Sequence, residues 1–181
     1  MTTQFKIITI ALATVAVPAS GLLTGCATTE SWPPRAGWVT DVFHDNREAF
    51  TELENRLLES KYSEVRLMAG TGAYGQYVVD DAIMEEKIGA DGRKWAELFV
   101  STRMTLVFLA DYGTYFSTGL NPFVSAAEPE HTVIGSLSVV HSESLLTTLD
   151  LCDDSHRLLP HGHCYLPLDD GWGALYKWTT M

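Results

Sequence analysis

The spacing of apolar side chains predicts one helix in the first third of the chain. Three apolar residues recur at helical spacing and would share one face: Phe50, Leu53 and Leu57. Asp45 and Glu48 resemble a capping box, which indicates that the helix begins there and continues through Ser60. Residues 38–43, just before it, fit either a strand or an early turn of the same helix.

After Lys61 the pattern changes to short runs of aliphatic, aromatic and β-branched residues, separated by glycine-containing turns. These runs predict strands at residues 62–69, 75–79, 104–110, 114–118 and 133–141. Near the end of the chain, alternation predicts a final strand with one aromatic face, formed by Trp172, Tyr176 and Trp178. We expect this face to be core; an exposed platform for sugars or a protein, with Tyr165 nearby, is the alternative.

Two further segments are ambiguous in their secondary structure. Residues 80–87 fit a second helix, while residues 93–100 fit a third helix or a strand, because short apolar runs do not distinguish the two. One or two helices packed on a mainly antiparallel sheet make an α+β fold. We therefore expect residues 37–181 to form a single α+β domain with a C-terminal disulfide loop.

The amino terminus has the composition of an export signal. Lys6 precedes an apolar run over residues 7–17, which Pro18 and Gly21 end. Such a run suits a signal peptide, whereas a membrane-spanning helix needs about 20 predominantly apolar residues.

The motif Leu23-Thr24-Gly25-Cys26, which comes after this run, resembles the lipobox of bacterial lipoproteins. The resemblance implies that residues 1–25 are a cleaved signal peptide and that Cys26 is lipidated, with palmitate among its acyl chains. It also implies a membrane-anchored envelope protein. Ala27 stands where an aspartate commonly retains such proteins in the inner membrane, which implies the periplasmic side of the outer membrane if the organism is Gram-negative. An ordinary secretory signal with a chance cysteine is the alternative.

Composition makes this tethered protein strongly acidic. The 181 residues include 23 Asp and Glu against 12 Lys and Arg, for a formal net charge of −11, and residues 26–36 have the composition of a tether. The phosphates of nucleic acid and of anionic lipid headgroups would repel this charge, so we expect no such partner. We expect a basic envelope protein or a glycan, although the charge also serves simply to keep a tethered protein soluble.

Two cysteines lie beyond the lipobox, Cys152 and Cys164, and we expect them to form a disulfide because exported proteins fold where disulfides persist. In the loop-entropy model such a bridge stabilises the fold by about 3 kcal/mol. Three histidines in this region are candidate zinc ligands: His156, His161 and His163. They match no known ligand signature, so we expect no metal site and no cofactor.

Residues 70–75 match the G-x-G-x-x-G pattern of dinucleotide-binding turns and come after a predicted strand. The next residues, 76–79, favour a strand, so no helix N-terminus would face a pyrophosphate. We therefore expect a glycine-rich turn without a nucleotide.

Candidate catalytic groups are unspecific, because the chain contains neither a G-x-S-x-G elbow nor an S-x-x-K motif. Some serines lie close enough in sequence to His141 to form a triad: Ser136, Ser138, Ser142 and Ser144. Glycan hydrolysis needs two carboxyls about 5–10 Å apart. Four neighbouring pairs are candidates: Asp80-Asp81, Glu85-Glu86, Asp153-Asp154 and Asp169-Asp170. A solvated acidic surface explains these pairs equally well.

These patterns favour a binding or interaction protein held on the envelope membrane. Within that class, acidity fits an inhibitor or immunity protein for a basic enzyme that attacks the envelope. The alternative is a cell-wall glycan or peptidoglycan hydrolase that uses one of the carboxylate pairs. The sequence does not decide whether the protein is an enzyme. It favours a non-enzymatic protein and identifies no catalytic residue.

Overall fold

The computed structural model describes residue 33 and residues 35–118, 123–128 and 131–180. The predicted signal peptide at residues 1–25, the lipidation site Cys26 and nearly all of the predicted tether lie outside the described residues. No helix in the described part of the chain has the length and apolarity that crossing a membrane requires.

Helices in the described residues are α1 (Ala36–Asp45), α2 (Arg47–Glu59), α3 (Gly92–Thr102), α4 (Glu143–Leu146) and a 3-10 helix (Asp154–Leu158). The predicted helix at residues 45–60 is confirmed as α2, and residues 38–43 belong to the separate helix α1. Asn46 divides the two, and its side-chain amide donates a 3.0 Å hydrogen bond to the Val42 carbonyl at the end of α1. The predicted Asp45–Glu48 capping box is wrong, because Asn46 occupies the N-cap without a side-chain cap hydrogen bond.

One antiparallel sheet contains the strands β1 (Glu64–Met68), β2 (Gly72–Val79), β3 (Ala82–Lys87), β4 (Leu106–Ala110), β5 (Gly113–Ser117), β6 (Phe123–Glu128), β7 (His131–His141), β8 (His161–Asp169) and β9 (Trp172–Thr180). Eight strands have the order β3-β2-β1-β4-β5-β7-β9-β8, and β6 lies beside β5 along the same edge of β7. The predicted α+β fold with a mainly antiparallel sheet is confirmed.

The prediction of a helix at residues 80–87 is wrong, because Ala82–Lys87 is strand β3, antiparallel to β2. Its alanine, methionine, glutamate and lysine residues have good helix propensity, but pairing with β2 overrides that local preference. Residues 93–100, for which the sequence fits either a helix or a strand, form part of helix α3. Neither β6 nor β8 is expected from the pattern, and β8 occupies part of the predicted C-terminal loop.

The first three helices pack on one face of the sheet, and the core lies between these two layers. Four aromatic rings from α1, α2, β5 and β9 meet at its centre: Phe43, Phe50, Phe116 and Trp172. Burying a side chain such as phenylalanine contributes about 2 kcal/mol. Trp172, Tyr176 and Trp178 are all buried on this face, so the core interpretation is confirmed and these three rings form no exposed platform.

The Cys152–Cys164 disulfide is confirmed, with a sulfur–sulfur distance of 2.02 Å. Cys164 lies buried in β8, the last strand of the sheet order. The loop that the bridge closes contains the 3-10 helix and the beginning of β8. The bridge therefore joins this helical segment to the edge of the sheet.

Candidate functional site

The β2–β3 hairpin projects beyond the body of the sheet. β1 pairs with β2 from Gly72 to Gln76, whereas β3 pairs with β2 as far as its end at Val79. Residues 77–84 therefore form a two-stranded extension, which we name the hairpin arm.

The hairpin arm exposes four large apolar side chains. Their exposed fractions are 61% for Val78, 47% for Val79, 73% for Ile83 and 45% for Met84. Val78 and Ile83 are cross-strand partners on one face, whereas Val79 and Met84 lie on the other face. Single exposed apolar residues are ordinary, but each face of this short hairpin exposes two of them, and clustered exposed apolar side chains are a feature of contact surfaces.

The turn at the end of the arm consists of Asp80 and Asp81, both exposed. Their φ angles are 50° and 63°, so both lie in the left-handed region that a two-residue hairpin turn requires. This region costs a non-glycine residue on the order of 1 kcal/mol, although aspartate tolerates it better than most residues. The tip therefore combines two neighbouring carboxylates with the apolar side chains of the arm.

The root of the arm is fixed on the helix-bearing side by Glu86. Its carboxylate accepts a 2.7 Å hydrogen bond from the Tyr62 hydroxyl and lies 2.6 Å from the Lys61 ammonium. That ammonium also lies 4.2 Å from the centre of the Tyr77 ring. The hydrogen bonds from Lys61 and then Tyr62 lower the pKa of Glu86. Burial, and after it the bond to Glu86, raises the pKa of Tyr62 to about 12.

On the opposite face of the sheet, Glu85 fixes the same root. Its carboxylate accepts hydrogen bonds from the Arg66 guanidinium and, at 3.3 Å, from the Gln76 amide. Arg66 belongs to β1 and Gln76 to β2, so Glu85 ties three strands together. Glu85 and Glu86 together therefore hold the root of the arm from both faces of the sheet. The other end of the arm carries the exposed apolar side chains and the two aspartates.

The Glu85-Glu86 pair therefore cannot act on one substrate, since the two carboxylates point to opposite faces of the sheet. The other candidate pairs lie elsewhere. Asp80-Asp81 is the turn of the arm, while Asp169 forms a 2.7 Å ion pair with Arg47 beside the β8–β9 turn. Asp153 lies just before the 3-10 helix, where hydrogen bonds from Ser155 and then His156 lower its pKa to about 2.

The three candidate zinc ligands lie on different sides of the sheet edge. His156 is 3.0 Å from the Asp153 carboxylate and contacts the ring of Trp178, which is on the helix-bearing face. His161 and His163 lie on the opposite face, where His163 is the cross-strand partner of Lys177. Among the described residues, no group of three or more histidine, cysteine, aspartate or glutamate side chains is arranged to hold a metal ion.

The serine triad does not form, because His141 faces the helices whereas Ser136 and Ser138 face away from them. Ser142 instead caps α4 by accepting a 3.0 Å hydrogen bond from the Leu145 backbone. His141 has a partner that the sequence does not suggest, the buried Glu54 of α2, at 2.7 Å from its Nδ1 atom.

Glu54 and His141 belong to a network at the edge of the core. The second carboxylate oxygen of Glu54 accepts a 2.7 Å hydrogen bond from the Thr114 hydroxyl. The His141 ring stacks on Trp172, with their centres 4.4 Å apart. The network ties α2 to β5, β7 and β9, and we assign it a structural role.

Residues 70–75 are the β1–β2 turn and the beginning of β2, which confirms the prediction of a glycine-rich turn. Gly70 and Gly72 have φ angles of 75° and 103°, so glycine is needed to make the turn. The turn leads directly into strand β2 and not into a helix N-terminus.

The sequence patterns did not predict the hairpin arm as a site. Its visible signal is the order Val78-Val79-Asp80-Asp81-Ala82-Ile83, in which two acidic residues separate two apolar runs. That order fits a hairpin with a two-residue turn, although we expected a strand only as far as Val79 and a helix at residues 80–87.

No protein-family model, no curated protein and no solved structure matches this chain.

Proposed function

We propose that this chain is an envelope lipoprotein that binds a basic protein through the hairpin arm, acting as an inhibitor or immunity protein against an envelope-attacking enzyme. The observation that carries the proposal is the combination of exposed apolar side chains and two carboxylates on one braced element. The lipobox resemblance supports an anchor at Cys26. The domain would then work at the membrane, facing the periplasm from the outer membrane in a Gram-negative organism.

The chemistry of the arm fits a cationic groove. Burying its apolar side chains would contribute roughly 25 cal/mol per Å² of area removed from water. Asp80 and Asp81 would meet lysine or arginine side chains of the partner, and the net charge of −11 would attract a basic protein from a distance. As the two residues of the turn, these aspartates lie at the end of the arm.

The braced root supports the same proposal. Glu85 and Glu86 hold the arm from both faces, so less conformational freedom is lost when the arm binds. An unbraced hairpin with the same side chains would have to be ordered by its partner at a cost in affinity.

A photo-crosslinking residue placed at Ile83 of the full-length protein, in the cells that produce it, tests this proposal. Val100 of α3 provides a matched control, since its exposed fraction is 72% against 73% for Ile83. We expect Ile83 to give a crosslink to a protein rich in lysine and arginine, and Val100 to give none to that protein.

The crosslinked partner is then purified and assayed for hydrolysis of envelope material, with and without the full-length lipoprotein. We expect inhibition that weakens as salt concentration rises, because charge attraction is screened by salt. An acidic partner, equal crosslinking from both positions, or an unaffected enzyme would each contradict the proposal.

The glycan-hydrolase alternative gains no supporting observation from the described residues. Asp80 and Asp81 form a hairpin turn, and Glu85 and Glu86 hold the arm from opposite faces. Asp153 caps the 3-10 helix, and Asp169 forms an ion pair with Arg47. We therefore do not extend that alternative to named catalytic residues.

A further inference from the structure

The sheet face that is opposite to α1, α2 and α3, which we name the open face, contains a cavity of about 320 Å³. Its lining comes from β4, β5, β7 and β9: Phe108, Ala110, Tyr115, Ser117, Ser136, Ser138, Leu175 and Lys177. This volume is at the small end of the range found for ligand pockets. α4 covers the same face next to it, where Leu146 packs on Gly173.

The polar groups of this cavity lie in two neighbouring cross-strand rows. Ser117 is the cross-strand partner of Ser138, and Ser136 is the partner of Lys177. His163 lies next to Lys177 on β8 and continues the row of Ser136 and Lys177. Ser136 and Ser138 therefore offer hydroxyl groups, which both donate and accept hydrogen bonds, and Lys177 offers an ammonium group.

The charge of the cavity is opposite to that of the protein. Among the described residues that line it, Lys177 is the one charged residue and no carboxylate is present, although the chain has a net charge of −11. The ammonium of Lys177 favours an anionic group of a ligand.

An aromatic wall borders the hydroxyl row. The rings of Phe108 and Tyr115 are stacked, with their centres 5.1 Å apart and their planes 15° apart. Their exposed edge and face suit the apolar C–H face of a flat ring. Burial raises the pKa of Tyr115. Its hydroxyl is a hydrogen-bond donor at neutral pH, as that of any tyrosine is.

We infer that this cavity is a binding site for a sugar that carries a carboxylate. The hydroxyls of Ser136 and Ser138 bind sugar hydroxyls, Lys177 binds the carboxylate, and the Phe108–Tyr115 wall contacts the ring. A fatty acid would leave the serine hydroxyls without a partner, and a neutral sugar would leave the ammonium without an opposite charge. The site lies on another face and other strands than the charged tip of the hairpin arm, and it does not depend on the protein partner proposed above.

Saturation-transfer NMR and calorimetry on the full-length protein, in a detergent without a sugar headgroup, test this inference. The probes are methyl glucuronide and N-acetylmuramic acid, and their neutral counterparts are methyl glucoside and N-acetylglucosamine. We expect saturation transfer to the acidic sugars and at least about tenfold weaker binding of the neutral ones, because hydrogen bonds to charged groups are the stronger class.

Two matched variants locate the site. Lys177→Met is expected to weaken binding of the acidic sugars about tenfold. Lys94 is an exposed lysine of α3, on the other side of the sheet, and Lys94→Met is expected to leave that binding unchanged. Ser138→Ala is expected to weaken both acidic and neutral sugars. Absence of binding by every probe, equal affinity for acidic and neutral sugars, or equal losses in the two lysine variants would each overturn the inference. None of these outcomes bears on crosslinking at Ile83.

Discussion

Individual side chains decide how the hairpin arm is held and how the helices are fixed to the sheet. Glu86 joins Lys61, Tyr62 and Tyr77 at the root of the arm, whereas Glu54 joins Thr114 and His141 beneath α2. Both are glutamates, but Glu86 is partly exposed and Glu54 is buried. Their substitution should therefore have different consequences.

The contribution of Glu86 to stability should depend on pH. Its pKa is lowered in the folded protein, so its contribution is present above the unfolded value of about 4.3 and is lost as pH falls through the folded value. Glu86→Gln should therefore reduce the free energy of unfolding at neutral pH and make the variant and wild type converge in acid.

Urea unfolding of the full-length protein over a pH series measures this difference. Glu97→Gln, an exposed position of α3, is the control and should match the wild-type curve. A constant offset between wild type and Glu86→Gln down to the lowest pH would show that the carboxylate is not the cause.

Glu54→Gln should destabilise the protein by about 1–3 kcal/mol at neutral pH, because an amide nitrogen replaces one of two buried acceptors. Glu48→Gln, an exposed residue of the same helix, should change the free energy of unfolding by less than about 0.5 kcal/mol. Urea unfolding of the two variants checks the prediction, and equal losses would remove the structural role that we assign to Glu54.

At the scale of elements, the sequence predicts the segments with a clear apolar pattern and misses β3, β6 and β8. β9 alternates between buried aromatic residues and smaller ones, and α2 has a regular apolar stripe, so both are predicted correctly. The hairpin arm is exposed on both faces, so its second strand, β3, needs no alternation and its helix propensity misleads. The pairing of Glu54 with His141 spans 87 positions of the sequence, which no local pattern reveals.

Removing the disulfide should lower stability without disabling the arm. Replacing both Cys152 and Cys164 by alanine opens a loop with a sequence separation of 12. The loop-entropy model then predicts a loss of about 3 kcal/mol in the free energy of unfolding. Urea unfolding measures this loss, and crosslinking from Ile83 should persist where the variant is folded. Loss of crosslinking in the folded variant would place the C-terminal segment in the binding surface.

At the scale of the whole molecule, the proposal joins an anchor, a net negative charge and a projecting apolar element. Cys26→Ser should move the protein from the membrane fraction to the soluble envelope fraction and abolish incorporation of labelled palmitate, because the lipid-bearing sulfur is lost. Fractionation and labelling check this together. Retention on the membrane without palmitate would contradict the lipobox resemblance.

Binding of the crosslinked basic partner to the hairpin arm is the central claim, and the dissociation constant of the purified pair tests it most directly. Replacing Val78 and Ile83 by serine should weaken binding at least about tenfold, since each removes an apolar contact from the centre of the interface. Val100→Ser should leave the constant unchanged. If the Val78→Ser, Ile83→Ser double variant is folded and binds the partner as tightly as wild type, the arm is not the binding site.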